Sequence, residues 1–267
     1  MLNKLIKYEF KATATRTYIP LYIALILFAV ISRLFTNIPV ASGNPMSVTA
    51  ITGIFSMFVY IALMIGIPVI TFIILVQRFY KSLLGDEGYL MFTIPVKSWQ
   101  HILCKLFTSM IWLVLSGLSA VLSILIIIPN EAFMDMMKTI PEGISEVFDY
   151  FGPSTWLVGF EAIIICILSV AGGILMVYAA IALGHLFSKH RLLASFGMYL
   201  ALSTVAQIIQ TIFMIVLGFS FYKDFSNLSS LVQIQTILVS LLAYISILTV
   251  GFFILTKYIL DKKLNLE

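Results

Sequence analysis

Long runs of apolar residues recur along this chain of 267 residues. A helix of about 20 apolar residues can cross the roughly 30 Å hydrocarbon layer of a bilayer. Backbone groups in lipid must find their hydrogen-bond partners within the protein, so such runs fold as membrane helices rather than as loops. The composition agrees, since 61% of the residues are hydrophobic and only 10% are charged. The sequence therefore predicts an all-α, polytopic membrane protein.

Six apolar runs are predicted to cross the membrane within a single transmembrane domain, residues 1–267. They cover approximately residues 18–36, 51–77, 101–129, 157–187, 194–221 and 232–257. The fourth run is longer than a bilayer requires, so we expect it to be tilted or to lie partly in the interface. Small or hydroxylated side chains predict close-packing faces on the third and fourth runs, at Ser109, Trp112, Ser116, Ser119, Ser123, Gly172, Gly173, Ala180 and Gly184.

The first sixteen residues have a helical period of their own. Their apolar side chains share one face of a helix and their lysines fall largely elsewhere, which predicts an amphipathic helix over 1–16 on an anionic membrane surface. The alternative is a basic flank of the first span with no separate role. A secretory signal also begins this way, but the apolar run from Tyr18 to Phe35 is long for one, and this favours a retained span.

Basic residues are distributed unequally between the two sides of the predicted bundle. If both termini are cytoplasmic, only Arg33, Lys138 and Lys223 of the sixteen Lys and Arg residues fall outside. Cytoplasmic loops carry an excess of Lys and Arg, so we predict this orientation. The acidic connection at 130–156 is then predicted to be an extracellular loop, and the polar connection at 78–100 a cytoplasmic loop.

The sequence lacks the motifs of common catalytic and metal sites. It contains no G-x-x-x-x-G-K-[ST], H-E-x-x-H or G-x-S-x-G pattern, and its three histidines have no metal-site spacing. Cys104 and Cys166 are interpreted as small core residues. The dispersed net charge of +4 does not suggest nucleic-acid binding. We therefore expect no catalytic residue, no metal, no cofactor in this chain and no enzyme activity by itself.

The connection at 78–100 combines glycines, acids and aromatic residues. Its first part suits a short interfacial helix that Gly85 can end, and Asp86 and Glu87 can begin another turn. Pro95 then imposes extended geometry on the residue before it. These features predict one or two short cytoplasmic helices that a groove on a partner protein can receive. The alternative is a structural elbow that folds back on its own bundle.

The stretch "FYKSLLGDEGYLMFTIPVKSWQHILCKLF" resembles the cytoplasmic loop of permeases in the type-2 exporter family of ABC transporters. Many members from Gram-positive bacteria carry a similar G-D-E-G-Y-L-x-F-T-x-P stretch between the second and third spans. The six-span layout and the basic N-terminal helix are also similar to the family. The resemblance implies a multi-pass protein of the bacterial plasma membrane.

The resemblance also implies that this loop contains a coupling helix that docks into a separate ATPase subunit. Two permease chains, expected to be a homodimer, and two ATPase subunits would form the working unit. ATP and Mg²⁺ would be bound by the ATPase, whose basic groups would pair with Asp86 and Glu87. Carried over by position, the coupling residues are Gly85, Asp86, Glu87, Gly88, Tyr89, Leu90 and Phe92. The family's outer re-entrant helices between the last two spans have only a brief counterpart here.

Four polar residues within the spans are candidates for a substrate path: Arg33, Glu161, Gln207 and Gln210. Glu161 would face an aqueous vestibule, contact a cationic substrate, bind a proton or snorkel to the interface. Arg33 is a candidate partner for it. The two glutamines lie one turn apart and need partners in lipid, either in the bundle interior or on a second subunit. Helix–helix hydrogen bonding is the alternative to a substrate path.

These features and the resemblance predict the permease subunit of an ATP-driven exporter of amphipathic peptides, similar to exporters of phenol-soluble modulins and bacteriocins. Small drugs, lipids and ions are the alternative cargoes. A function of another class is an ion- or proton-coupled secondary transporter or channel that uses Glu161 and needs no ATPase. A third is a membrane scaffold or sensory subunit without transport.

Overall fold

The computed structural model describes residues 2–14, 18–36, 48–84, 96–187, 189–225 and 229–262. Within these ranges 95% of the residues are helical, and none forms a β-strand. The predicted all-α class is therefore confirmed.

Eight α-helices follow one another along the described residues, and short π-helical or 3₁₀ turns extend two of them. Helix ends coincide with the ends of the apolar runs to within a few residues, as expected when burial in lipid decides where a helix begins and ends. The helices are α1 (Leu2–Thr13), α2 (Ile19–Thr36), α3 (Val48–Phe79, continued by the π-helical turn Tyr80–Leu84), α4 (Ser98–Ile127), α5 (Asn130–Phe151, followed by the 3₁₀ turn Gly152–Ser154), α6 (Thr155–Gly184), α7 (Arg191–Phe225) and α8 (Ser230–Lys262).

Within the described ranges, five helical stretches are long and apolar enough to cross a membrane. The apolar part of α2, Ile19–Leu34, is shorter than these five. A membrane-embedded chain is therefore supported. That α2 also crosses the membrane, which would make six spans, stays a prediction. The five stretches are Ile51–Leu84, Ser98–Ile127, Asn130–Gly184, Arg191–Val216 and Leu231–Lys262.

The acidic connection at 130–156, which we expected as a loop, is mostly helical. Its apolar residues recur every three or four positions, which is the period of an amphipathic helix. The helix ends where Gly152 takes a positive φ of 53°, a conformation that glycine adopts without steric cost. Gly152 begins the 3₁₀ turn, and Pro153 is the second residue of that turn.

The chain divides into two compact units. The first comprises Met1–Leu75 and Phe107–Gly143, and the second comprises Val76–Leu106 and Ile144–Glu267. Helices α3, α4 and α5 each contribute residues to both units.

In the first unit, Trp112 of α4 anchors the N-terminal helix. Its ring stacks on Phe10 at a centroid distance of 4.5 Å and on Tyr18 at 4.1 Å. Its indole Nε1 donates a hydrogen bond to Thr13 Oγ1 at 2.8 Å. Helix α1 is therefore held to α4 by stacked rings and a buried hydrogen bond.

Hydroxyl groups connect α2, α3 and α4 within the same unit. The Tyr22 and Thr71 hydroxyls lie 2.8 Å and 3.2 Å from Ser116 Oγ. The Tyr60 hydroxyl lies 3.1 Å from Ser123 Oγ. Both serines are buried, so the predicted packing face on the third run is confirmed at these positions.

In the second unit, α6 packs against both α7 and α8. Its C-terminal half is buried from Ala171 to Gly184, with few exceptions. Gly172 lies against the Thr249 side chain, and Gly184 lies against the backbone of Ser195. These two positions confirm the predicted packing face on the fourth run. Gly173 was wrongly included, because among the described residues no atom lies within 4 Å of the position that its Cβ would take.

Candidate functional site

The predicted coupling residues all lie outside the described part of the chain, so their roles stay predictions. They are Gly85, Asp86, Glu87, Gly88, Tyr89, Leu90 and Phe92. The described residues on either side of them show how this connection is attached to the second unit.

The chain enters the connection through a tightly packed aromatic contact. Phe79, at the end of α3, is fully buried and stacks on Tyr178 of α6 with ring centroids 4.0 Å apart. In the π-helical turn that follows, Leu83 and Leu84 are buried, and the Tyr80 ring meets His185 edge-on at 6.0 Å. The residues leading into the predicted coupling loop are therefore packed against the end of α6.

The chain leaves the connection through an equally buried segment. Helix α4 begins at Ser98, and its first turns bury His101, Ile102, Cys104 and Lys105. Cys104 is thus a core residue, as interpreted from the sequence. Cys166 is exposed on α6, so the same interpretation is wrong for it.

His185 closes the end of α6 beside this contact. It is buried, and its Nδ1 finds no hydrogen-bond partner among the described residues. Burial lowers the pKa of His185, and the positive charge of Arg191 lowers this pKa further. The structure therefore favours the neutral imidazole at this position.

Glu161 pairs with a glutamine that the sequence did not single out. Gln235 Nε2 of α8 donates a hydrogen bond of 2.6 Å to Glu161 Oε1 near the beginning of α6. Glu161 Oε2 is buried and has no hydrogen-bond partner among the described residues. Because the pair lies near the first residues of α6 and α8, and Gly172 meets Thr249 further along both helices, α6 and α8 run parallel.

Arg33 holds the junction of α4 and α5. Its guanidinium donates to the Ile126 carbonyl at 2.8 Å and to Asn130 Oδ1. A cation at a helix C-terminus satisfies carbonyls that lack partners within the helix. The predicted pairing of Arg33 with Glu161 stays a prediction, since the two residues belong to different units.

Gln207 and Gln210 are exposed on α7. The neighbouring hydroxyls of Thr204 and Thr211 are satisfied by carbonyls of their own helix, at 2.8 and 2.9 Å. The two amides therefore face away from the contacts of α7 within the second unit. The choice between the two predicted surroundings, the interior of the bundle and a second subunit, stays a prediction.

An apolar cavity of about 350 Å³ lies in the first unit, between α2, α3 and α4. It flanks Pro68, and Thr71 and Ser116 are the polar groups on its wall. These two hydroxyls bond to each other, so the cavity offers no free polar group for a charged ligand.

The described residues hold no group of three His, Cys, Asp or Glu side chains that could bind a metal ion. Searches against protein families, characterised proteins and solved structures found no match to this chain. The function of this chain is therefore inferred from its own residues and their contacts.

Proposed function

We propose that this chain is the membrane-spanning permease subunit of an ATP-driven ABC exporter. Two copies would work with two ATPase subunits that bind ATP and Mg²⁺ and dock on the connection at 78–100. In this proposal α2 also crosses the membrane, which makes six spans with the five longer stretches. Both termini lie in the cytoplasm of a bacterial cell. The proposed cargo is an amphipathic peptide, because an apolar membrane path suits a molecule with an apolar face.

The observation that best supports this proposal is the packing beneath the 78–100 connection. Phe79 on one side and Ile102 on the other are fully buried in the same unit as α6. Closely packed protein interiors have low compressibility, so they transmit a displacement instead of absorbing it. A push on the connection would therefore move the end of α6 through the Phe79–Tyr178 ring stack, as a coupling element must.

A second permease chain is supported by the exposed amides on α7. A side-chain amide both donates and accepts hydrogen bonds, so Gln207 and Gln210 can pair with the same residues of a second copy. A twofold axis along the membrane normal would keep each residue at the same depth in both copies. Charged residues at these positions would repel their own copies instead.

The test is purification of the chain from its native membrane in mild detergent, followed by an ATP hydrolysis assay. We expect a stoichiometric partner with a P-loop, whose ATP hydrolysis is stimulated by an amphipathic peptide. In the variant Asp86→Ala/Glu87→Ala, the permease should still insert, while the partner or its peptide stimulation is lost.

The matched control is Glu142→Ala/Glu146→Ala, which removes the same charge from α5. It should purify with the partner as the native chain does. A partner-free preparation after crosslinking, or native transport by the Asp86/Glu87 variant, would count against the proposal.

A second candidate function is a proton- or ion-coupled transporter that uses Glu161. The buried Glu161 Oε2, which has no hydrogen-bond partner among the described residues, favours it, because an acid inside a membrane span is a candidate for an ion pathway. Liposomes that contain only this chain separate the two candidates. Gradient-driven flux that Glu161→Gln abolishes would support the second candidate, and flux that requires the ATPase would support the first.

A further inference from the structure

Helix α5 has one apolar face and one acidic face. A helix turns by about 100° per residue, so its five acids fall within one sector of about 60°. The apolar stripe is centred on the opposite side of the helix. The acids are Glu131, Asp135, Glu142, Glu146 and Asp149, and the stripe consists of Phe133, Met137, Ile140, Ile144, Val147, Phe148 and Phe151.

The described part of the chain leaves the apolar stripe uncovered. No residue of α5 is buried, and Ile144 and Phe148 in the stripe are 52% and 38% exposed. Removing such a side chain from water stabilises by about 1.5–3 kcal/mol. A stripe of this length, held in water along 22 residues, would be strongly unfavourable, so another apolar medium must cover it.

The end of α5 is fixed at the level where α6 enters the membrane. The Phe148 ring contacts the Trp156 ring edge-on, with centroids 5.7 Å apart, across the 3₁₀ turn. Trp156 lies in the first turn of α6 and is 75% exposed. Tryptophan is enriched at the membrane–water interface, so this ring marks the boundary of the bilayer. The stripe of α5 is thereby continuous with the exposed apolar surface of α6 at Leu157 and Phe160.

We propose that α5 is an interfacial helix that lies on the lipid bilayer, with its apolar stripe among the acyl chains and its acids in water. Its two ends are joined to the membrane helices α4 and α6 by only residues 128–129 and 152–154. These short connections keep the helix beside the membrane. The acids prevent α5 from crossing the bilayer as a span of its own.

The charge of α5 distinguishes it from helices that bind anionic membranes. Such helices carry Lys and Arg on their polar face, whereas α5 has one lysine, Lys138, which forms an ion pair of 3.8 Å with Asp135. Apolar burial is therefore the driving force, and an uncharged phosphatidylcholine surface is sufficient. This proposal does not depend on the transport function and can fail independently of it.

The test measures the membrane depth of single cysteines in the full chain, after Cys104→Ala and Cys166→Ala substitution. Ile144→Cys reports on the stripe, and Glu146→Cys reports on the acidic face two residues away. Ile163→Cys on exposed α6 and Lys189→Cys in the α6–α7 turn are the lipid and water references. Each variant carries an environment-sensitive fluorophore in phosphatidylcholine nanodiscs.

We expect nitroxide-labelled lipid to quench the label at 144 as it does at 163, and severalfold more than at 146. Aqueous iodide should quench 146 and 189 severalfold more than 144. Adding phosphatidylglycerol should leave these ratios unchanged. Equal iodide quenching at 144 and 146 would overturn the proposal. A disulfide between two copies at residue 144, without lipid quenching there, would overturn it in favour of a second chain on the stripe.

Discussion

The helices within one compact unit are held together by different interactions from the helices within the other. In the first unit, hydroxyl groups and stacked rings connect α1, α2, α3 and α4, as in the hydrogen-bonded pair Tyr22–Ser116 and the stack on Trp112. In the second unit, small residues let α6 approach its neighbours closely, at Gly172 and Gly184. Lipid chains are as apolar as leucine, so the usual hydrophobic driving force between helices is missing in a membrane. Hydroxyl groups and stacked rings hold the helices of the first unit in its place, and close packing at glycines holds those of the second.

This difference predicts how each unit responds to substitution. A close backbone approach cannot relax when a methyl group is added, because the neighbouring helix itself must move. A side-chain hydrogen bond between membrane helices contributes only about 0.6 kcal/mol on average. We therefore expect steep effects from small additions in the second unit and shallow effects from polar deletions in the first.

The largest effect is expected for Gly184→Ala. The added methyl group would overlap the backbone nitrogen and Cα of Ser195 at the start of α7. We expect the free energy of unfolding to fall by at least about 3 kcal/mol, the upper end of the range for overpacking. The measurement is unfolding of the purified chain in mixed micelles with increasing SDS.

Gly173→Ala is the matched control, since no described residue lies within 4 Å of a methyl group at that position. It should change stability by less than about 1 kcal/mol, in the stabilising direction, because alanine is the better helix former. Equal effects at positions 173 and 184 would contradict the close approach of α6 and α7.

The next effect is expected for Trp112→Leu in the first unit. The variant loses ring stacking on Phe10 and Tyr18 and the hydrogen bond to Thr13. Two aromatic pairs and one hydrogen bond together predict a loss of about 2–3 kcal/mol in mixed-micelle unfolding. Trp156→Leu, at an exposed ring, should lose less than about 1 kcal/mol. A small loss at 112 would show that α1 is not held there.

A smaller effect is expected for Gln235→Leu in the second unit. The substitution removes the amide that bonds Glu161 Oε1, so neither carboxyl oxygen then has a hydrogen-bond partner among the described residues. We expect a loss of about 1–2 kcal/mol in the same assay. Adding Glu161→Gln should restore part of it, because a neutral amide is less costly to leave in an apolar region. An unchanged stability of Gln235→Leu would contradict the pair.

The helices themselves were predictable because a single physical requirement determines them. Apolar runs long enough to cross a bilayer must be helical, so α3, α4, α6, α7 and α8 follow the predicted runs closely. The glycine contacts at 172 and 184 were also predictable, since small side chains in a membrane helix indicate close packing. Helix α5 was predicted as a loop. Its acids are spread along the whole segment, so the helical spacing of the apolar residues between them was not recognised.

The contacts between helices were not predictable from one sequence. Gln235 lies 74 residues from Glu161, and the sequence around either residue does not indicate that the other is its partner. The Phe79–Tyr178 stack joins two aromatic residues in separate runs that are each rich in aromatic and aliphatic side chains. Choosing among such partners requires the relative rotation of the helices, which packing determines and periodicity does not.

The smallest effect is expected in the hydroxyl contacts of the first unit, and a double-mutant cycle is needed to resolve it. Tyr22→Phe and Ser116→Ala each remove one side of a 2.8 Å contact. Each group also has a second contact, since Ser116 Oγ meets Thr71 and the Tyr22 hydroxyl donates to the Trp112 carbonyl at 3.3 Å, so the single substitutions alone do not isolate the pair. We expect a coupling energy of about 0.6 kcal/mol between the two substitutions in mixed-micelle unfolding. A coupling above about 1.7 kcal/mol would exceed the usual limit for membrane hydrogen bonds. It would show that the first unit depends on its polar contacts more strongly than membrane helices usually do.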